Sequence, residues 1–169
     1  MEIKYTPWRM RYIKRGEPDE GCVFCAIAAA ESASDAERLV LYRGRHCFVV
    51  MNLYPYNTAH LMVVPYLHVA DLTTLDSNVA GELFALTQQC VAIIQGEYAP
   101  HGFNVGMNLG RVAGAGIADH LHMHIVPRWN GDNNFMPVIG GTKLIPEALD
   151  ETYARLHPHF AALNSTSAQ

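Results

Sequence analysis

Three histidines at alternate positions, His120, His122 and His124, stand in the run Asp119-His120-Leu121-His122-Met123-His124-Ile125-Val126-Pro127-Arg128. A neutral imidazole offers one lone pair to a phosphorus, a proton or a metal, and one N–H to an acceptor, and it changes charge near neutral pH. The interleaved Leu121, Met123 and Ile125 give the period of two of a β-strand, which sends the three rings to one face and the apolar side chains to the other. Adjacent rings would stand about 6.6 Å apart, close enough to serve different tasks on one bound group. Two chemistries are open. One ring attacks as a nucleophile while its neighbours meet charge, or all three hold a catalytic metal that activates a water. A third reading leaves the rings on a solvated face without a task; the glycine-rich stretch 110–116 just upstream argues against it, because such loops bring backbone close to a ligand.

A second group begins with Cys22 and Cys25, a CxxC at the start of the alanine-rich CVFCAIAAAE. On a helix, positions three apart share a side, so both thiols can reach one ligand. The motif suits a metal site or redox chemistry; the latter asks for a strand ahead of it in a βαβ unit, a context this sequence lacks. Cys47 and Cys90 lie singly in apolar runs and read as small buried hydrophobes.

The elements that must position these groups follow from patterning. Segments 38–42, 46–52 and 60–66 are rich in β-branched and aromatic residues, with a tight turn at Arg43-Gly44-Arg45 and a longer loop at 53–57 between them, and they predict three antiparallel strands. Val79, Leu83, Leu86, Cys90, Ile93 and Ile94 mark one stripe of a helix over 76–98, capped by Asp76 or Ser77. Two further strands are expected at 103–109 and 120–127, a short helix at 22–31, and a final helix at 145–163 with Pro146 in its first turn. The aromatic and basic stretch 5–12 reads as a packed arm, 130–142 as an ordered surface loop and 164–169 as a frayed tail. The fold class is α+β: an antiparallel sheet of about five strands and two principal helices.

Size and charge set the outer limits. A chain of 169 residues with half its residues apolar suits one domain that buries a core without disulfides, here a single unit over 1–169 with an arm (1–21), a core (22–128) and a C-terminal loop and helix (129–169). A net charge of -4 with 17% charged residues offers no basic stripe to nucleic acid. No apolar stretch is long enough to cross a membrane and the N-terminus lacks a signal-peptide profile, so a cytoplasmic protein is expected.

The run His120-Leu121-His122-Met123-His124-Ile125-Val126 resembles the signature of the histidine triad (HIT) family. The resemblance extends to Asn52 with His60 eight residues later and to Asn108-Leu109-Gly110, and covers roughly 22–128. Pro7-Trp8-Arg9-Met10, Phe103-Asn104-Val105-Gly106, Arg128-Trp129 and Ile139-Gly140-Gly141-Thr142-Lys143 are most similar to a bacterial branch that contains diadenosine tetraphosphate phosphorylases. The resemblance implies a HIT-like fold, a homodimer with a continuous sheet, and nucleotidyl transfer or hydrolysis at the α-phosphate of dinucleoside polyphosphates or related adenosine nucleotides, without a catalytic metal. It makes His122 the nucleophile, His124 and His60 contacts to phosphate oxygens, Asn52 the ribose-binding residue, and Asn108 the phosphate-side residue.

The amides of Gly114, Ala115 and Gly116 are candidate donors to phosphoryl oxygens. For the CxxC the resemblance implies a closed structural zinc site of Cys22, Cys25, His68 and His120. One departure stands out: many relatives carry a hydroxyl side chain just before the triad, where this chain has Gly116-Ile117-Ala118. Trp129, Asp132 and Asn133 are close enough in sequence to approach a base or a partner subunit, or simply to shape the loop. The rival functions are a hydrolase using the triad as zinc ligands and a nucleotide sensor with little turnover.

Overall fold

Two apolar runs without a polar interruption, CFVVM and LMVVP, are strands buried on both faces: every residue of β2 (Cys47–Met51) and β3 (Leu61–Pro65) is buried. Unbroken runs of this kind belong to strands with material packed above and below. The computed structural model describes residues 21–132 and 145–166; the expected arm at 5–12 and most of the loop 130–142 lie outside the described residues. β1 (Val40–Arg43), β4 (Gly102–Gly106) and β5 (Met123–Arg128) complete a five-stranded sheet of order β1-β2-β3-β5-β4, antiparallel throughout.

Strand alternation divides the core. Leu41, Cys47, Val49, Met51, Leu61, Val63 and Ile125 turn to one face. There they meet Leu83, Leu86, Cys90 and Ile94 of the long helix α2 (Ser77–Tyr98) and Leu156 and Phe160 of the C-terminal helix α3 (Leu149–Thr166). Val40, Phe48, Val50, Met62 and Val64 turn to the opposite face, where the short helix α1 (Val23–Ala29) covers them with Phe24. That smaller cluster leaves part of the second face open, and the cavity described below lies there.

The long helix matches the predicted stripe, and Asp76 caps it by accepting the Asn78 N–H, which satisfies one orphan donor of the first turn. Glu82 ties it to the sheet by accepting the backbone N–H groups of His46 and Cys47 at 3.0–3.3 Å. A side chain at Gly44 would meet that carboxylate and crowd the Cys47 backbone carbonyl at 2.9 Å, so the turn there favours glycine. Cys47 and Cys90 are fully buried as read, and burial pushes the Cys47 thiol up to about 12.

Several boundaries differ from the patterning. α3 starts at Leu149 rather than near Pro146. Glu147 accepts the hydroxyls of Tyr98 and Thr152, each at 2.6 Å, while Glu151 reaches back to the Ala148 N–H at 3.2 Å, a side-chain start signal that moves the first turn beyond the proline. β4 ends at Gly106, not 109, because its last pairing is with His124 of β5. α1 is shorter than 22–31, and beside the two principal helices α2 and α3 it is the third α-helix among the described residues, as expected.

Candidate functional site

α1 is held at both ends by side chains. At its C-terminus Arg43 donates to the Ile27 and Ala28 carbonyls at 3.0 and 3.3 Å and pairs with Asp35 at 2.7 Å. These contacts satisfy carbonyls that a seven-residue helix otherwise leaves orphaned. At its N-terminus stand Cys22 and Cys25. Cys22 Sγ lies 3.3 Å from His120 Nδ1, and Cys25 Sγ lies 3.6 Å from the same nitrogen and 3.2 Å from His68 Nδ1.

The four ligand atoms of Cys22, Cys25, His68 and His120 fall within 4.8 Å of one another. Zinc bound tetrahedrally at about 2.3 Å to sulfur and about 2.0–2.1 Å to nitrogen separates S from N by about 3.5 Å, which agrees with these contacts. His120 Nε2–H donates to the Pro65 carbonyl at 2.8 Å, which fixes the tautomer with Nδ1 bare toward the thiols, as a metal ligand's outer partner does. Without a cation, burial first and Cys22 second push the Cys25 thiol up; a divalent cation would remove that penalty. The residues therefore fit a metal ion.

His120 and His122, expected on a strand over 120–127, precede the observed strand β5, which begins at Met123. The pairing of β3 with β5 ends at Val63 with Met123. Beyond it Pro65 has no N–H to give, and its carbonyl is taken by the His120 ring; Leu121 N–H bonds instead to Val69 at 2.8 Å. Side chains and a loop carbonyl thus replace the ladder. In this extended lead-in His122 Nδ1–H donates to the His120 carbonyl at 2.8 Å, so its Nε2 carries the lone pair. Burial pushes His122 below the usual imidazole value, only partly opposed by that carbonyl, which keeps the ring neutral at pH 7. Phe24 packs on it at 5.1 Å between ring centroids, and His124 at 4.7 Å.

His60 is 1% exposed. The Tyr56 backbone N–H donates to its Nδ1 at 3.0 Å, and Nε2 faces His124 Nδ1 at 3.0 Å. Since a backbone amide can only donate, His60 carries its proton on Nε2 and gives it to His124 Nδ1; in a neutral His124 the N–H is then on Nε2. Asn52 Nδ2 is 3.4 Å from His60 Nδ1, and Asn52 Oδ1 accepts the Tyr54 N–H at 2.9 Å.

A cavity of about 570 Å³ opens on this face and is lined by Asn52, Asn108, Gly114, Ala115, Gly116, His122 and His124. Its size falls in the range of small-molecule sites. Val23, Phe24, Ile27, Leu39, Val50 and Leu53 form an apolar wall on the β1–β2 side, and Arg38, Glu37 and Arg111 are the charged residues of the lining. Every expected substrate-binding residue and two of the three expected catalytic ones line it; His60 does not, because it sits behind His124. Asn108 Nδ2 is 3.4 Å from the Gly114 carbonyl, so the two sides of the glycine-rich loop are tied together.

Residues 33–131 match the HIT domain family. The chain belongs to the HIT domain family. A 162-residue stretch is 44% identical to the AP-4-A phosphorylase of Mycobacterium tuberculosis, spanning 93% of this chain and 83% of that protein. The crystal structure of a Zn-bound histidine triad family protein from Mycobacterium smegmatis superposes with TM-score 0.67 at 26% identity, over 86% of this chain and 97% of that one. The Plasmodium falciparum diadenosine triphosphate hydrolase shares the fold, with TM-score 0.59 at 16% identity over 76% of this chain and 78% of that one.

The metal-capable cluster uses His120 but neither His122 nor His124, which speaks against the triad as a three-histidine metal site among the described residues. Asp132 turns to structure: it pairs with Arg128 at 2.6 Å and accepts from Asn57 Nδ2 at 2.8 Å and Trp129 N–H at 3.2 Å. Asn133 lies outside the described residues. Patterning missed Phe24, which had the signal of an apolar residue between the two thiols, and Arg38 and Arg111, which had none beyond charge.

Proposed function

We propose that the chain transfers a nucleotidyl group from dinucleoside polyphosphates of the diadenosine tetraphosphate type, or from related adenosine nucleotides, through a covalent bond to His122. The observation that carries this reading is the buried, neutral His122 at the cavity lining with Nδ1–H spent on the His120 carbonyl, which leaves the lone pair on Nε2. It is supported by the likeness to the mycobacterial AP-4-A phosphorylase.

Asn52, at the end of β2, holds the ribose, and the base lies against Ile27, Leu39 and Val50. Nε2 of His122 attacks the α-phosphorus; a phosphorus–nitrogen bond forms as the bond to the bridging oxygen breaks, and the remaining nucleoside polyphosphate leaves with the electron pair. His124 donates from Nε2 to a phosphoryl oxygen, oriented from behind by His60, so His60 is a positioning residue in place of a direct phosphate contact. Asn108 and the amides of Gly114, Ala115 and Gly116 face the same charge with preorganised dipoles. Water or inorganic phosphate then attacks the phosphorus, frees Nε2 and releases the mononucleotide or its diphosphate.

Cys22, Cys25, His68 and His120 hold a structural zinc that braces α1, and no catalytic metal takes part. The chain acts as one unit over 1–169 in the cytoplasm, where metal-binding thiols stay reduced. It forms a homodimer with a continuous sheet through β4, the edge strand on which Val105 is 45% exposed. The other edge is covered, with the Val40 carbonyl taken by the Tyr153 hydroxyl at 3.0 Å.

The test is intact-mass spectrometry after acid-free quenching with diadenosine tetraphosphate. A nucleotidyl adduct on the parent and none on His122→Ala is expected. Turnover in His122→Ala, or binding with neither adduct nor products in the parent, overturns the reading; the second outcome describes a sensor.

A further inference from the structure

Arg111 opens a short 3-10 turn (Arg111–Ala113) between two glycines of positive φ, Gly110 at φ 82° and Gly114 at φ 95°. The turn projects a guanidinium at the cavity lining, where it is exposed. Among the described residues it makes neither an ion pair nor a side-chain hydrogen bond. The other lining cation, Arg38, bonds Ser34 Oγ through Nε at 3.3 Å and is next to Glu37, itself a lining residue.

The sheet order places these two cations at opposite ends of the site. Arg38 precedes β1 at one edge and Arg111 follows β4 at the other, with His124 on β5 and His122 in the segment that leads into it between them. Asn52 and the apolar wall belong to the β1–β2 side. A nucleoside seated there with its α-phosphorus at His122 must extend its remaining phosphates toward β4 and the Arg111 turn. That side has no hydroxyl side chain before the triad, only Gly116-Ile117-Ala118, and the two imidazoles at the phosphorus give it no full positive charge. A polyphosphate tail carries several negative charges, and a guanidinium answers phosphate with paired, charge-assisted hydrogen bonds.

We infer that Arg111 binds the phosphates of the leaving group and sets the preference for long polyphosphate chains. This rests on the nucleotidyl-transfer reading and names the part of the substrate that the β4 side recognises. The bond broken is unchanged: the electron pair still leaves on the bridging oxygen, now within a nucleoside polyphosphate held by Arg111.

The test compares diadenosine tetraphosphate, diadenosine triphosphate and adenosine 5′-phosphoramidate, whose leaving group has no phosphate, on the parent, Arg111→Gln and Arg111→Lys. In Arg111→Gln the ratio of kcat/KM for the tetraphosphate over the phosphoramidate falls about 10–100-fold, as expected for loss of a charged hydrogen bond. Most of the change is in KM, the triphosphate falls less than the tetraphosphate, Lys restores part of the ratio, and the melting temperature stays that of the parent. A ratio that does not move, or that moves only with a lowered melting temperature, overturns the role of Arg111 while leaving nucleotidyl transfer standing. A parent that forms no adduct with any of the three substrates overturns both.

Discussion

Replacing Phe24 with alanine separates the packing of α1 from the chemistry of His122. Phe24 is 3% exposed, belongs to the small cluster with Val40, Phe48, Val50, Met62 and Val64, and touches the rings of both His120 and His122 at 5.4 and 5.1 Å. Truncating a core phenylalanine costs about 3–5 kcal/mol. One flank of this ring faces the 570 Å³ cavity, so water can fill the space and the cost falls at the lower end, about 3 kcal/mol. For a chain of this size that is roughly 6–12 °C in Tm.

The second effect is on protonation. Burial is the leading cause of the lowered His122 value, and Phe24 supplies part of that burial, so its removal lets the value rise toward the ordinary 6.5. Since the folded state disfavours the imidazolium, His122 contributes stability that is fully present above its unfolded value and lost as pH falls through the lower folded value. In Phe24→Ala that window narrows. The acid limb of kcat/KM against pH, where the nucleophile becomes protonated, moves to higher pH. The assay is a pH profile of dinucleoside polyphosphate turnover beside calorimetry on the same preparation. An acid limb that stays in place while Tm drops as calculated would refute the claim that this ring keeps His122 neutral.

Three other outcomes are expected. Chelation, or Cys22→Ser with Cys25→Ser, removes one bound metal per chain by atomic absorption and lowers Tm by roughly 5–10 °C, yet the nucleotidyl adduct still forms at low temperature; loss of the adduct chemistry at once with the metal would favour a catalytic ion. Arg128, then Asn57 and the Trp129 N–H, hold the Asp132 carboxyl well below its ordinary 3.8. It therefore contributes stability above that value and loses it as pH falls further, and Asp132→Asn, discounted for exposure, costs about 1–2 kcal/mol at pH 7 and less in acid by urea titration. Gly110→Ala costs about 1–3 kcal/mol from backbone conformation alone, because φ 82° with ψ 164° is a combination open essentially to glycine and no atom lies within 4 Å of the added methyl; equal losses of Tm in Gly110→Ala and Gly110→Asn are expected in thermal melts, and a tolerated Gly110→Asn refutes the conformational argument.

Much of the fold was legible because the two central strands are apolar on both faces and the long helix is apolar on one. CFVVM and LMVVP cannot be solvent-facing strands, and Asp76 ahead of the stripe from Val79 to Ile94 fixes where α2 begins. Hydrogen bonds between distant residues were not legible. Nothing local says that Arg43, beside a tight turn, reaches the last carbonyls of α1, or that Glu147 delays α3 past Pro146. The alternation of the histidines correctly put His122 and His124 at one cavity, but periodicity could not reveal that the ladder stops at Met123, which depends on the Pro65 carbonyl. The metal set was reached through family likeness, since no spacing argument joins Cys22 to a histidine 98 positions away.

His120 links the two sites through different atoms. Its ring gives Nδ1 to the thiols and Nε2–H to the Pro65 carbonyl, while its own backbone carbonyl receives Nδ1–H of His122. A cation on Nδ1 would lock that ring against the strand carbonyl and fix the peptide that follows it, and the orientation of this peptide decides which nitrogen of His122 bears the proton. If the His120 carbonyl swung away, the two tautomers of His122 would approach equal population and Nε2 would be protonated, and inert as a nucleophile, part of the time. If the proposed roles hold, a cysteine pair nearly a hundred positions away in sequence would bear on catalysis without touching substrate: it stands at the start of α1, α1 seats Phe24 on His122, and the histidine it shares with the metal-capable cluster orients the next histidine in the triad.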